Sequence, residues 1–401
     1  MNYQITPASV RRALVSILDY WMEHTVDGNG GGFYGRISEG GVVDTMAPKG
    51  SVLNARILWT FSAAYRVLPD PAYLQMAERS FSYFSRYFPD PVHGGVYWTV
   101  NAAGEPLDTK KQVYALAFAI YGLSEYYAAT GEPRALDLAV RLFEDVEEHS
   151  FDPEKGGYFE AFARDWSSMQ DLRLSARDAN EKKSMNTHLH VLEAYSNLYR
   201  VWRSERLLGR IDRLLENFSD FIIDAKTHHL VLFFDEQWTP RSDTVSFGHD
   251  IEASWLLLEA AELVADGSPA NVAPWKERSV TLALAASEGI APDGSLYYER
   301  GAGGDWSRER HWWVQAEALV GFHNAWELTA DPIWYTRLTK NWHYIGAHLV
   351  DRLHGEWFWG IRDDRTPMPG QDKVGVWKCP YHNSRAMMEI LRRMERTNTH
   401  A

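Results

Sequence analysis

The sequence predicts an all-α protein, an (α/α)6 barrel of twelve helices with short β-hairpin loops at one mouth. Three observations predict it: a short aromatic segment recurs six times, two helical patterns lie between successive copies, and one helix of each pair is apolar nearly all round. The copies are Gly31-Gly32-Phe33-Tyr34, Gly94-Gly95-Val96-Tyr97, Gly156-Gly157-Tyr158-Phe159, Val231-Leu232-Phe233-Phe234, Gly294-Ser295-Leu296-Tyr297 and Gly355-Glu356-Trp357-Phe358. With Tyr34, Tyr97, Phe159, Phe233, Tyr297 and Phe358 as marks, the steps are 63, 62, 74, 64 and 61 residues. Each copy reads as a turn followed by a short strand.

The helices follow in order. A first is expected over 7–24, then pairs at 51–68 and 71–88, 112–129 and 133–149, 184–202 and 205–223, 248–265 and 274–288, and 310–329 and 332–350, with a last at about 381–396. Asp70-Pro71, Glu132-Pro133 and Asp331-Pro332 put proline at the first helical position, where its missing N–H leaves no bond unmade. Segments such as 112–129 and 310–326 are apolar on every side and must be buried, whereas 133–149 carries one apolar stripe and suits an outer layer. Six inner and six outer helices closing on themselves make the barrel. An open α-solenoid is the alternative; an outer helix first and an inner helix last favour closure. No Pro/Gly/Ser-rich linker breaks the series, so residues 1–401 read as one catalytic domain.

Composition limits the partners. Lys and Arg number 41 against 54 Asp and Glu, a net charge of −13 that disfavours nucleic acid and anionic membrane surfaces. The single cysteine, Cys379, excludes an internal disulfide, charges interrupt the apolar positions of the first 24 residues, and no apolar run approaches a bilayer span. A reducing cytoplasm, and a monomer or weak homo-oligomer acting on a small sugar, are the expectations. The 17 Trp, 20 Tyr and 17 Phe mostly pack helices, but a minority suit a sugar site, because the CH face of a pyranose stacks on a flat ring.

The starts of the inner helices meet at one mouth, and there the polar residues gather: Asn54 and Arg56; Tyr114; Asn186, His188 and His190; His249, Asp250 and Glu252; His311, Trp312, Trp313 and Glu317; Trp377, Tyr381, His382 and Asn383. One buried histidine is ordinary core; histidines at the same end of three helices need a reason. Trp312 or Trp313 can simply fill the core, and Arg56 can pair with Glu252 or Glu317. His188 and His190, two apart, lie on different helix faces and cannot ligate one ion together, and no HExxH or CxxC spacing occurs, so no catalytic metal is expected. His228-His229 falls in a hairpin and is expected to face solvent. Glycoside hydrolysis would require Glu252 and Glu317 across a cavity, but they look better placed to orient histidines or bind hydroxyls. Phosphate-loop and nucleophile-elbow motifs are missing. Proton transfer by histidine remains: two imidazoles addressing opposite faces of a planar intermediate can epimerise a carbon beside a carbonyl, with Arg56 and His190 supporting the enediolate oxygen and no cofactor.

The segments NARILWTFSAAYR (54–66), KQVYALAFAIYGLSEYY (111–127), NEKKSMNTHLHVLEAY (180–195), FGHDIEASWLLLEA (247–260), RHWWVQAEALVGF (310–322) and VWKCPYHNSRAMMEI (376–390) resemble cellobiose 2-epimerases of the N-acylglucosamine 2-epimerase superfamily. The resemblance covers essentially the whole chain. It implies the (α/α)6 barrel and cofactor-independent interconversion of glucose and mannose at the reducing end of β-1,4-linked disaccharides such as cellobiose and lactose. It makes His249 and His382 the acid/base pair, with His190 and Arg56 beside them, and Tyr114, Asn186, Glu252, Trp312, Glu317 and Trp377 substrate-contacting or supporting residues. The implied route is ring opening, a cis-enediolate, rotation about C2–C3 and reprotonation on the opposite face. The superfamily also holds monosaccharide 2-epimerases and aldose–ketose isomerases built on the same histidines, so an enzyme acting on mannose or an N-acylglucosamine is the alternative.

Overall fold

The computed structural model describes residues 4–265 and 268–399, among which there are twelve α-helices and a set of strands two or three residues long. The outer helices are α1 (Pro7–His24), α3 (Pro71–Tyr87), α5 (Pro133–His149), α7 (Glu205–Asn217), α9 (Pro269–Ala286) and α11 (Pro332–Tyr344). The inner helices are α2 (Ser51–Val67), α4 (Val113–Thr130), α6 (Met185–Val201), α8 (Phe247–Val264), α10 (Trp312–Thr329) and α12 (Tyr381–Thr399). Each inner helix packs on the next and α12 returns to α2, so the ring closes into an (α/α)6 barrel.

Patterning explains the two layers. Helix α4 is buried at every residue from Val113 to Tyr126, while α7 buries one stripe of Leu207, Ile211, Leu214 and Leu215. Each such leucine contributes about 2 kcal/mol when taken fully out of water. Gly122 of α4 lets the inner helices approach: a Cβ there would lie 2.5 Å from the carbonyl oxygen of Ala55 in α2.

The hairpins sit at one end and repeat six times. Val26 bridges Phe33, Pro89 bridges Val96, Phe151 bridges Tyr158, Ile223 bridges Leu230, Ile290 bridges Leu296 and Val350 bridges Trp357. This corrects the fourth copy read from sequence. The copy is His228-His229-Leu230-Val231, three residues before Val231–Phe234, because His228, at φ 61°, takes the left-handed conformation that glycine takes at Gly31, Gly94, Gly156, Gly294 and Gly355. A second correction follows: His228 is exposed as expected, but His229 is buried and bonds Asp250 of α8.

Four residues past each bridge a short ladder ties neighbouring pairs together, the strand ahead of an inner helix pairing with the strand after the next outer helix. Residues 49–50 pair with 99–100, 111–112 with 161–162, 183–184 with 233–234, 245–246 with 299–300, and 310–311 with 360–361. Ile37 with Val374 completes the circle, joining the segment after α1 to the segment before α12. Four of the six turns are also clipped by a buried ion pair: Lys49–Asp27 at 2.7 Å, Lys111–Asp90 at 3.0 Å, Lys183–Asp152 at 2.7 Å and Lys373–Asp351 at 2.7 Å. At the fourth turn Val245 stands in the lysine's place, and at the fifth Ala291 stands in the aspartate's.

Some helix bounds differ from the sequence reading. Helix α9 starts at Pro269 in the first helical position and runs through Pro274. The spans expected at 205–223 and 332–350 end in a wider π-helical turn at Phe218–Ile222 and Ile345–Leu349, closed by Ile223 N–H to Phe218 O and Val350 N–H to Ile345 O. At the end opposite the hairpins, a cavity of about 950 Å³ is rimmed by ion pairs between inner helices, including Arg66–Glu125 at 2.6 Å and Arg200–Glu259 at 2.5 Å. Among the described residues no helix is long and apolar enough to cross a membrane.

Candidate active site

The hairpin end presents the first turns of the inner helices, and their polar residues divide by position. The fourth residue of a helix braces a turn: His188 of α6 accepts the Tyr158 N–H at 2.9 Å, Asp250 of α8 accepts the Leu230 N–H at 2.9 Å, and Gln315 of α10 accepts the Leu296 N–H at 2.8 Å. The sixth residue points into the ring. It is Arg56 in α2, Phe118 in α4, His190 in α6, Glu252 in α8 and Glu317 in α10.

The histidines sort by what their ring nitrogens touch. His382 Nδ1 lies 2.7 Å from Glu317 Oε1, His190 Nδ1 lies 2.9 Å from Glu193 Oε2, and His249 Nδ1 lies 2.8 Å from Ser246 Oγ. All three are tethered through Nδ1, which leaves Nε2 for the cavity. The carboxylates fix the proton of His190 and His382 on Nδ1, so their Nε2 carries a lone pair. His188 and His229 engage both nitrogens, His188 with Ser184 O and the Tyr158 N–H, His229 with Asp250 and Glu288. They are structural.

Burial pushes His249 down to about 3, with His190 adding to the shift and Glu317 opposing it. Burial, then the charges of Arg56 and Arg385, hold His382 well below the ordinary imidazole value. His190 is lowered by burial against the pull of Glu193. All three are therefore neutral bases near pH 7.

Aromatic rings link the histidines. The Trp313 indole lies 4.8 Å from the His249 ring and 5.7 Å from the His382 ring, so both imidazoles flank one wall. Trp312 is buried behind it, 6.4 Å from His382 and 4.6 Å from Trp359. Across the ring, Tyr114 is 5.1 Å from His190 and 6.0 Å from the half-buried Trp377. Arg56 donates to the Tyr114 hydroxyl at 2.7 Å and rests on Phe118 at 4.0 Å. No described carboxylate pairs with it, so the ion pair considered for Arg56 does not form. Its Nε is buried without a partner, as is Asn186 Oδ1. The histidines, Arg56, Tyr114 and the tryptophans thus converge, and Asn186 lies in the first turn of α6.

Sequence reasoning missed the layer beneath. Arg385 Nη2 donates to Glu252 Oε1 at 2.6 Å and Glu317 Oε1 at 2.7 Å, while Nη1 meets Glu193 and the Tyr381 hydroxyl. Trp255 Nε1 donates to Glu317 Oε2 at 3.1 Å. The signal was present: His190–Glu193, His249–Glu252 and His382–Arg385 each set a charged residue three positions after a histidine, on one helix face. Burial, reinforced by the charge of Glu317, raises Glu252, and burial raises Glu317 against Arg385. Burial alone would raise Glu193, but Arg385 and His190 take it down to about 2.

The arrangement decides between chemistries. Glu252 and Glu317 share one nitrogen of Arg385, which leaves no room for a sugar between them and removes the carboxylate pair that glycoside hydrolysis requires. Ligand atoms of Glu252, Glu317 and His382 lie within 4.8 Å of one another, and the cation seated against both carboxylates is the guanidinium of Arg385. Paired imidazoles beside a buried arginine remain, a proton-transfer site.

Comparison with known proteins agrees. Residues 32–386 match the family described as N-acylglucosamine 2-epimerase. A cellobiose 2-epimerase of Bacteroides fragilis is 51% identical over 377 residues, covering 94% of this chain and 95% of that protein. The structure of a cellobiose 2-epimerase from Bacillus thermoamylovorans superposes with a TM-score of 0.92 at 39% identity, covering 96% of this chain and 99% of that one. A D-mannose isomerase structure shares the fold, with a TM-score of 0.85 at 20% identity over 96% of this chain and 98% of that one.

Proposed function

The chain belongs to the N-acylglucosamine 2-epimerase family, and on that premise we propose that it epimerises C2 of the reducing-end sugar of β-1,4-linked disaccharides such as cellobiose and lactose. The observation that carries this is the triad of Nδ1-tethered imidazoles with Nε2 free, two of them flanking Trp313. The chemistry asks for no cofactor, and the reading assigns residues 1–401 to one catalytic barrel working in the cytoplasm.

The sugar ring opens first, moving a proton from O1 to O5 and creating the carbonyl that acidifies C2–H. The Nε2 lone pair of one imidazole, His249 or His382, takes the C2 proton and leaves a cis-enediolate. Arg56 has an unpaired Nε and, among the described residues, no carboxylate in ion-pair contact, so its charge is available to the enediolate oxygen, with His190 alongside. Rotation about C2–C3 presents the other face to the second imidazole, which takes up a solvent proton on Nε2 and delivers it to C2, returning to its neutral form, while the first imidazole releases the proton it took to water. Microscopic reversibility exchanges their roles when mannose returns to glucose. Tyr114, Asn186, Glu252, Trp312, Glu317 and Trp377 bind the sugar or support the groups that do, Glu317 by orienting His382.

Turnover on cellobiose, lactose, mannose, fructose and N-acetylmannosamine tests the substrate class. The proposal expects kcat/KM to be highest on the disaccharides, with product mass equal to substrate mass. Higher values on mannose or N-acetylmannosamine would move the assignment to a monosaccharide enzyme, and free glucose from cellobiose would refute epimerisation.

A further inference from the structure

Arg385 lies on the floor of the site, one turn past His382 on α12, and is 1% exposed. Its guanidinium rests over Trp255 at 4.8 Å and Tyr381 at 4.3 Å, so its plane is fixed by rings as well as by bonds. One edge holds Glu193 and the other holds Glu317. Those are the carboxylates that tether His190 and His382 by Nδ1. A single planar group therefore spans α6, α8, α10 and α12.

We propose that Arg385 is a positioning residue that sets His190 and His382 in register and fixes the proton of each on Nδ1. The inference rests on the epimerase reading and deepens it. A carboxylate freed from Arg385 can rotate away or take up a proton, and a protonated carboxyl presents a donor where the imidazole N–H needs an acceptor. Either event lets the imidazole turn over to the other tautomer and withdraws Nε2 from the substrate. The planar fork is needed because Glu193 and Glu317 are met by different nitrogens of it, and the single nitrogen of a lysine cannot occupy both positions at once.

His382 is faced by Glu317 from α10, Glu252 from α8, Arg56 from α2, His190 and Glu193 from α6, and Arg385 and Tyr381 on its own helix. Removing the Arg385 charge leaves the carboxylates dominant and makes His382 easier to protonate.

The test compares wild type, Arg385→Lys and Arg385→Met by steady-state kinetics across pH, with protein labelled with ¹⁵N-histidine for tautomer assignment by NMR. Arg385→Met is expected to lower kcat by about 100-fold or more. Its KM should stay within about threefold of wild type, and its acid limb should move to higher pH. Arg385→Lys keeps the charge, so its limb stays near that of wild type and its kcat falls between the other two. In the spectra, His190 and His382 carry the proton on Nδ1 in wild type and mix tautomers in Arg385→Lys. If Arg385→Met fails to fold, Arg385→Lys decides by kcat and tautomer. The proposal is overturned if folded variants keep wild-type kcat, or lose activity with limb and tautomers unchanged. A wild type inactive on every sugar would sink the epimerase reading, while the spectra would still decide the clamp.

Discussion

Histidines 190, 249 and 382 differ from 188 and 229 by one nitrogen: the first three are hydrogen-bonded through Nδ1 alone, the others at both nitrogens. His249→Ala and His382→Ala are each expected to lower kcat by about 1000-fold or more with the fold retained, as for loss of an acid/base group. His188→Gln should instead cost about 1–3 kcal/mol of unfolding free energy, the penalty for an unsatisfied Tyr158 N–H, with kcat little changed. Kinetics and urea denaturation on the three variants check the division, and a His188 variant that folds normally but is catalytically dead would contradict it. The pH dependence has a definite sign. Burial lowers the working imidazoles, so the base form outlasts a free imidazole as pH falls and is lost only below it. The acid limb of kcat/KM on cellobiose should therefore lie below 6.5, the ordinary value, and a limb at or above 6.5 would show a base that is not buried. The histidines were legible in sequence because each interrupts an apolar helix at a start. Arg385 and Glu193 were not, because a charge one turn deeper looks the same whether it faces the cavity or a neighbouring chain of carboxylates; only packing shows that they meet.

At the scale of the element, periodicity located twelve helices, since burial on all sides and burial on one stripe leave different patterns in sequence. The fourth hairpin was placed three residues late because a histidine there takes the backbone conformation that glycine takes at the other five first positions, and the backbone demand outlives the usual residue. The π-helical ends of α7 and α11 leave no pattern, since widening a turn changes hydrogen bonding and not composition. The Lys–Asp clips belong to this scale. Lys183 Nζ reaches Asp152 Oδ2 at 2.7 Å, Gly156 O at 2.8 Å and Glu236 O at 3.0 Å, joining the third turn to the segment before α6. Lys183→Met leaves Asp152 buried without its cation and is expected to cost about 3–5 kcal/mol, because breaking a buried pair strands a charge. Urea midpoints measure this, and a loss under about 1 kcal/mol would show the clip to be ornamental.

For the whole molecule, closure matters most, because a ring brings helices from distant parts of the sequence to one cavity while an open solenoid would separate α2 from α12. The seam is the Ile37–Val374 bridge, with Ile37 N–H on Val374 O at 3.0 Å and Lys373 N–H on Ile37 O at 2.9 Å. Hydrogen exchange should protect these two amides as well as those of Met185 and Trp312, which make the matching bonds inside the ring. Exchange at the rate of an unstructured chain would open the barrel. The central claim is that one imidazole removes the C2 proton and a different one, exchanged with water, replaces it from the opposite face. Incubating cellobiose with the enzyme in deuterium oxide and locating the label by NMR tests this most directly. The account predicts that every molecule of the epimer carries deuterium at C2; an epimer that retains its original hydrogen there would mean a single base returning the proton it took, and would contradict it.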